Sequence, residues 1–180
     1  MAKSSGERTL EVEVKGKVED LKTVEAKAKA LGFSFVGVEE HSDIYYRHPL
    51  RDFAKTDEAI RVRTVNGKRV LTYKGPKVDK VSKTREEIEV EVDGDMPKVL
   101  EKLGFSPVTE VAKVRRIYTK GDIEVCLDDV RDVGTYVEVE CKSTNLEETR
   151  ARVMAVVKAL GIKDKDLERN SYLQLLLAKR

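Results

Sequence analysis

Charge alternating with branched apolar residues, in six separate stretches, constrains this chain more than any other feature. The first stretch reads Glu11-Val12-Glu13-Val14-Lys15. Successive strand side chains point to opposite faces, so Glu11, Glu13 and Lys15 share one face and Leu10, Val12 and Val14 the other. Arg85, Glu87, Glu89 and Glu91 oppose Ile88, Val90 and Val92 in the same way. Lys113 and Arg115 oppose Val114 and Tyr118, with Arg116 interrupting the apolar face. Glu124 and Asp128 oppose Ile123, Val125 and Leu127, and Glu138 and Glu140 oppose Val137 and Val139. The sixth stretch is a hairpin. Asn66-Gly67 supplies the positive φ angles of a type I′ turn, so residue 65 pairs with 68, 63 with 70, 61 with 72 and 59 with 74. That register puts Arg61, Arg63 and Lys74 on one face and Ile60, Val62, Leu71 and Tyr73 on the other.

Two architectures satisfy this pattern. In one, the apolar faces pack on helices and the charged face is an open, solvated sheet, which needs no function. In the other, the sheet curls shut, helices cover its outside, and the charges line a bore. So much buried charge must be paired, hydrated or neutralised by a ligand. Separate acidic and basic strands in one bore suit a polyphosphate with its metal ions. Two carboxylates two residues apart hold a hard divalent cation, and a lysine one step on meets the phosphate that the cation bridges.

Charged residues make up 38% of the 180 residues, yet the net charge is only +2. Strong periodicity argues against disorder despite that charge content, which also suits a thermophile. The balanced sign gives no general drive toward nucleic acid or membrane. No run is long and apolar enough for a membrane span, and no charged-then-apolar leader opens the chain, so a cytoplasmic location is expected. Cys126 and Cys141 suggest neither a disulfide framework nor a metal site. They are expected off the charged face, as buried small apolar residues.

The chain repeats itself. Leu10-Glu-Val-Glu-Val-Lys-Gly16, a helix ending Leu31-Gly-Phe33, and Asp43-Ile-Tyr45 return as Ile88-Glu-Val-Glu-Val-Asp-Gly94, a helix ending Leu103-Gly-Phe105, and Arg116-Ile-Tyr118. Such a repeat predicts two copies of one supersecondary unit, about residues 8–82 and 85–145, followed by helices over 146–180 in a single domain 1–180. Leu21, Val24, Ala28 and Leu31 predict the first helix, stopped at Gly32. Asp95 caps the second, with Pro97 in its first turn. Leu146, Val153, Val156, Val157 and Leu160 mark a third, after Thr144 and Asn145, and Tyr172 to Leu177 marks a fourth. Arg47 to Glu58 is a long connection that either folds over a tunnel mouth and selects a base or is of no consequence. His41 and His48 flank loops and are read as surface residues.

These residues resemble the CYTH family, also called triphosphate tunnel metalloenzymes. Its Glu-x-Glu-x-Lys hallmark stands as Glu11, Glu13 and Lys15. Its Arg-x-Arg and following Lys stand as Arg61, Arg63 and Lys74, and its Lys-x-Arg as Lys113 and Arg115. Its late acidic signature stands as Asp128 and then Glu138-Val139-Glu140. The likeness runs from about residue 8 to the end, including Ser171-Tyr172-Leu173, and the segment Asp43 to Arg63 is similar to the archaeal branch of class IV adenylate cyclases. One departure touches the cyclase reaction: bacterial class IV cyclases carry a Phe-His pair ahead of the Asp128 strand, and Gly121-Asp122 stands here instead.

The resemblance implies an α+β fold: an eight-stranded antiparallel barrel, the triphosphate tunnel, with helices packed outside. It implies that Glu11, Glu13, Asp128, Glu138 and Glu140 hold one or two Mg²⁺ or Mn²⁺ ions. It further implies that Lys15, Arg61, Arg63, Lys74, Lys113 and Arg115 grip phosphate oxygens. Glu11, Glu13, Lys15, Asp128, Glu138 and Glu140 would then form the catalytic set, with Glu89 and Glu91, counterparts of Glu11 and Glu13 in the repeat, as further acidic candidates. The implied function is an adenylate cyclase of class IV, turning ATP into cyclic AMP and pyrophosphate. An inorganic or thiamine triphosphatase and a non-catalytic polyphosphate-binding module are the alternatives, in a monomer or homodimer.

Overall fold

The computed structural model describes residues 10–77 and 84–179. Among the described residues are eight strands: β1 Leu10–Lys17, β2 Ser34–Arg47, β3 Ala59–Val65, β4 Lys68–Lys74, β5 Glu87–Val92, β6 Ser106–Lys120, β7 Ile123–Val130 and β8 Gly134–Ser143. Helices α1 Leu21–Ala30, α2 Phe53–Thr56, α3 Met96–Lys102, α4 Leu146–Ala159 and α5 Tyr172–Leu177 punctuate them. All strands belong to one antiparallel sheet in the order β1-β8-β7-β6-β2-β3-β4-β5. The sheet curls until its first and last strands approach, where Glu11 N–H donates to Arg85 C=O at 3.4 Å.

The hairpin has the register that Asn66-Gly67 dictates, with Val65 opposite Lys68 and Ala59 opposite Lys74. Asn66 and Gly67 take φ of 49° and 76°. The long strands β2 and β6 pair with each other, with register shifts between Phe35 and Gly37 and between Tyr45 and Tyr46. Sequence periodicity marks only the ends of these strands, because each bulge breaks the alternation.

Burial sorts the two faces as the alternation requires. Val12, Val14, Val125, Leu127, Val137 and Val139 form the outer face and pack under Val24 and Ala28 of α1 and Val153, Val157 and Leu160 of α4. Leu100 of α3 covers Tyr46 and Val62. Asp20, Asp95 and Asn145 cap α1, α3 and α4 by accepting backbone N–H groups with their side chains, and Gly32 ends α1 in a left-handed turn at φ 85°. Helix α5 is placed differently. Its Tyr172 and Leu176 pack on Tyr45, Val111, Val130 and Tyr136, which share parity with the charged residues, so α5 caps one end of the curl from the concave side.

Two expectations need correction. Cys141 lies in the outer core, but Cys126 has the parity of Glu124 and Asp128 and belongs to the charged face. His41 is no surface residue. It sits inside β2, two residues before Asp43 on the same face, and is only 4% exposed. Among the described residues no helix is long and apolar enough to cross a membrane.

Candidate functional site

The concave face encloses a cavity of about 990 Å³. Glu11, Glu13, Glu138 and Glu140 line one side, Arg61, Arg63 and Lys74 come from the β3–β4 hairpin, and Lys113 and Arg115 from β6. Glu89 also lines it. Glu91 does not, because its carboxylate pairs with Lys68 at 2.9 Å in an exposed position. Lys15 and Asp128 lie beneath the lining, 1% and 0% exposed.

The cations are held by acids behind them. Asp43 accepts from Arg63 Nε and Nη2 at 2.7 and 2.8 Å and from Arg61 Nη1 at 3.3 Å. Burial alone would raise the Asp43 pKa, but Arg61 and Arg63 outweigh it and hold the carboxyl well below the usual range. Arg61 also reaches Thr72 and Glu89, and Lys74 donates to Glu87 at 2.6 Å. Asp128 accepts four hydrogen bonds: two from Arg115 at 2.7 and 2.6 Å, one from Lys113 at 3.0 Å and one from Tyr172 Oη at 2.8 Å. Arg115 also bonds Glu138. The Lys15 ammonium donates to the Asn170 carbonyl and lies 4.0 Å from the Tyr172 ring centroid. Both oxygens of Asp128 are therefore committed to protein donors, and the Lys15 charge is held against the C-terminal segment.

The acids on the far side are arranged differently. Oxygens of Glu11, Glu13 and Glu140 come within 4.8 Å of one another. Burial pushes the Glu11 pKa up to about 7, with Glu87 and Glu13 adding to the rise against Lys74. Burial and then Glu11 push Glu140 well above the carboxylate range. Three converging carboxylates, with the basicity of Glu11 and Glu140 raised, fit a hard divalent cation, which would displace the proton Glu11 otherwise retains. Glu138 joins the same face but is tied to Arg115.

Sequence reasoning missed Asp43 and Tyr172. Asp43 is a lone carboxylate with no acidic partner at i±2, and its role depends on strands paired across the sheet. Tyr172 reads as one apolar position in a helical stripe, and only docking of α5 brings its hydroxyl to Asp128. Gly121-Asp122, the departure from bacterial cyclases, forms the β6–β7 turn, where Asp122 pairs with Arg152 of α4 outside the cavity lining.

The chain matches the CYTH domain over residues 9–172. It belongs to the CYTH family. It is 43% identical over 171 residues to "Putative adenylate cyclase MJ0240" of Methanocaldococcus jannaschii, covering 92% of this chain and 98% of that protein. The PH1819 protein of Pyrococcus horikoshii superposes with a TM-score of 0.84 at 42% identity, over 94% of this chain and 99% of that one. The Hippeastrum protein HpAC1, a "putative adenylyl cyclase" described with a dominant triphosphatase activity, shares the fold at a TM-score of 0.68 and 19% identity, over 96% of each chain.

Proposed function

We propose that this CYTH protein is a metal-dependent enzyme acting on a nucleoside triphosphate, with ATP converted to cyclic AMP and pyrophosphate as the reaction. One observation carries the reading: a three-carboxylate cluster faces rows of arginine and lysine across a single cavity of about 990 Å³. The carboxylates would hold Mg²⁺ or Mn²⁺ through Glu11, Glu13 and Glu140, with Glu138 adjoining. Such an ion supplies charge neutralisation and Lewis acidity to the phosphates. Arg61, Arg63, Lys74, Lys113 and Arg115 bind phosphate oxygens and stabilise the charge that builds on the departing pyrophosphate. Asp43 and Asp128 pre-orient those cations, so little reorganisation accompanies binding. Here Asp128 acts on phosphate through Arg115 and Lys113 rather than as a metal ligand, because its oxygens are already committed.

The mouth supports an organic substrate. Segment 47–58 borders the cavity, and Leu50 and Phe53 of that segment with Leu173 and Leu177 of α5 add apolar surface that an inorganic triphosphate has no use for. A triphosphatase would use the same grip with water as the attacking group. Incubation with ATP, tripolyphosphate and thiamine triphosphate, each with Mg²⁺ or Mn²⁺, separates these reactions by anion-exchange analysis. Cyclic AMP with pyrophosphate is the expected product. Orthophosphate instead would assign a triphosphatase, and binding without turnover of any of the three would overturn the enzymatic reading.

A further inference from the structure

Arg85 is a buried cation bordering the cavity that the reading above does not use. It lies just ahead of β5, and its carbonyl accepts from Glu11 N–H where the two ends of the sheet meet. Cross-strand partners point to one face, and both Glu11 and Arg85 border the cavity. Arg85 is only 7% exposed. Arg61, Arg63, Lys74, Lys113 and Arg115 each bond a carboxylate. Arg85 makes no ion pair among the described residues. Its one side-chain hydrogen bond there is long, from Nη1 to the Gly75 carbonyl at 3.4 Å. The carboxylates of Asp57 and Glu87 lie within range of its field, but they are bonded elsewhere, to Lys77 and Lys74. Lys142 also borders the cavity, but it is exposed and water covers its charge.

We propose that Arg85 is a further phosphate-binding residue, a guanidinium left without a counter-charge in the free protein that a polyphosphate in the cavity supplies. A guanidinium carries five N–H donors in a flat fork, and one long bond to Gly75 leaves most of them for a ligand. A buried charge without a partner is costly, and a ligand that brings the partner relieves that penalty on binding. The other cations must share phosphate with the acids that already hold them, whereas Arg85 has no such acid. Its position also differs from theirs. Arg61, Arg63, Lys113 and Arg115 come from β3 and β6 in the middle of the sheet, and Arg85 stands at the seam where β5 meets β1. Across from Glu11, it is assigned to the phosphate that a divalent ion on Glu11, Glu13 and Glu140 would bridge. The inference rests on the triphosphate reading of the cavity and adds a cation on the metal side of the ligand.

Two substitutions test this. Arg85→Gln removes the charge and keeps a polar side chain, and Arg85→Lys keeps the charge but loses the fork. In calorimetry with tripolyphosphate and Mg²⁺, Arg85→Gln is expected to bind on the order of ten- to a hundredfold more weakly than wild type, the range for losing a hydrogen bond to a charged group. Arg85→Lys should fall between the two. The stability of the free protein separates binding from scaffolding. An unpaired buried charge does not stabilise the fold, so Arg85→Gln without ligand should melt at or above the wild-type temperature. The upward shift that tripolyphosphate gives should shrink in the same variant. A residue that merely held the seam between β1 and β5 would instead lower the melting temperature of the free protein when replaced. If Arg85→Gln binds tripolyphosphate as tightly as wild type, or melts lower without ligand, the proposal is wrong and the triphosphate reading stands. If wild type binds no tripolyphosphate at all, the triphosphate reading itself falls and takes the proposal with it.

Discussion

Replacing Asp128 by Asn tests whether this carboxylate is the counter-charge of the site. Asp128 is fully buried, and its two oxygens accept from Arg115, Lys113 and Tyr172. The substitution keeps shape and volume but removes the acid that contacts both cations. Arg115 retains Glu138, whereas Lys113 makes no other ion pair among the described residues and is itself only 6% exposed. Removing one partner of a buried pair costs about 3–5 kcal/mol, most of it from the stranded charge. For a chain of this size each kcal/mol lowers Tm by roughly 2–4 °C, so a drop on the order of 6–20 °C is expected. Urea unfolding of the metal-free protein, with m unchanged, gives the free energy directly. Tripolyphosphate should restore part of the loss, because its oxygens supply the charge that Asn lacks. Asp128 is held below its ordinary pKa by Arg115 and Lys113, which overcome the opposing effect of burial. A loss under about 1 kcal/mol, with m constant, would show that the pair contributes no more than an exposed salt bridge and would refute the argument.

Arg63→Lys keeps one charge but loses the two parallel bonds to Asp43, so tripolyphosphate should bind more weakly, and Arg63→Ala more weakly still. Calorimetry with Mg²⁺ present checks this order, and equal affinity in all three proteins contradicts it. Glu13→Gln should weaken Mn²⁺ binding by removing one of three converging carboxylates, which metal titration in the absence of substrate measures. His41 adds a pH dependence of stability. Its folded pKa, about 4, lies below the unfolded value of 6.5, so the unfolded chain binds more protons in that window. Stability from this group is full above pH 6.5 and is lost as pH falls toward 4, by roughly 3 kcal/mol at most. His41→Gln should show a shallower loss over the same range in chemical denaturation.

The alternating segments and the Asn66-Gly67 turn determined which residues share the concave face. That property is local: a period of two needs only neighbouring residues, and a two-residue turn sets its own register. The family signatures were legible for the same reason, since each lies on one strand or one hairpin. What the charges do on that face was decided by tertiary structure. Asp43 reaches Arg61 and Arg63 only because β2 pairs with β3, and Asp128 meets Arg115 only across β6 and β7. Lys15, a phosphate ligand by motif, is engaged by Asn170 and Tyr172 because α5 docks on the concave side. Sequence parity treats Asp128 and Glu140 as equals, yet one is saturated by cations and the other is crowded by acids, with opposite shifts in pKa. Buried electrostatics depend on which charges lie within a few ångströms in low dielectric, and contacts between residues tens of positions apart set those distances.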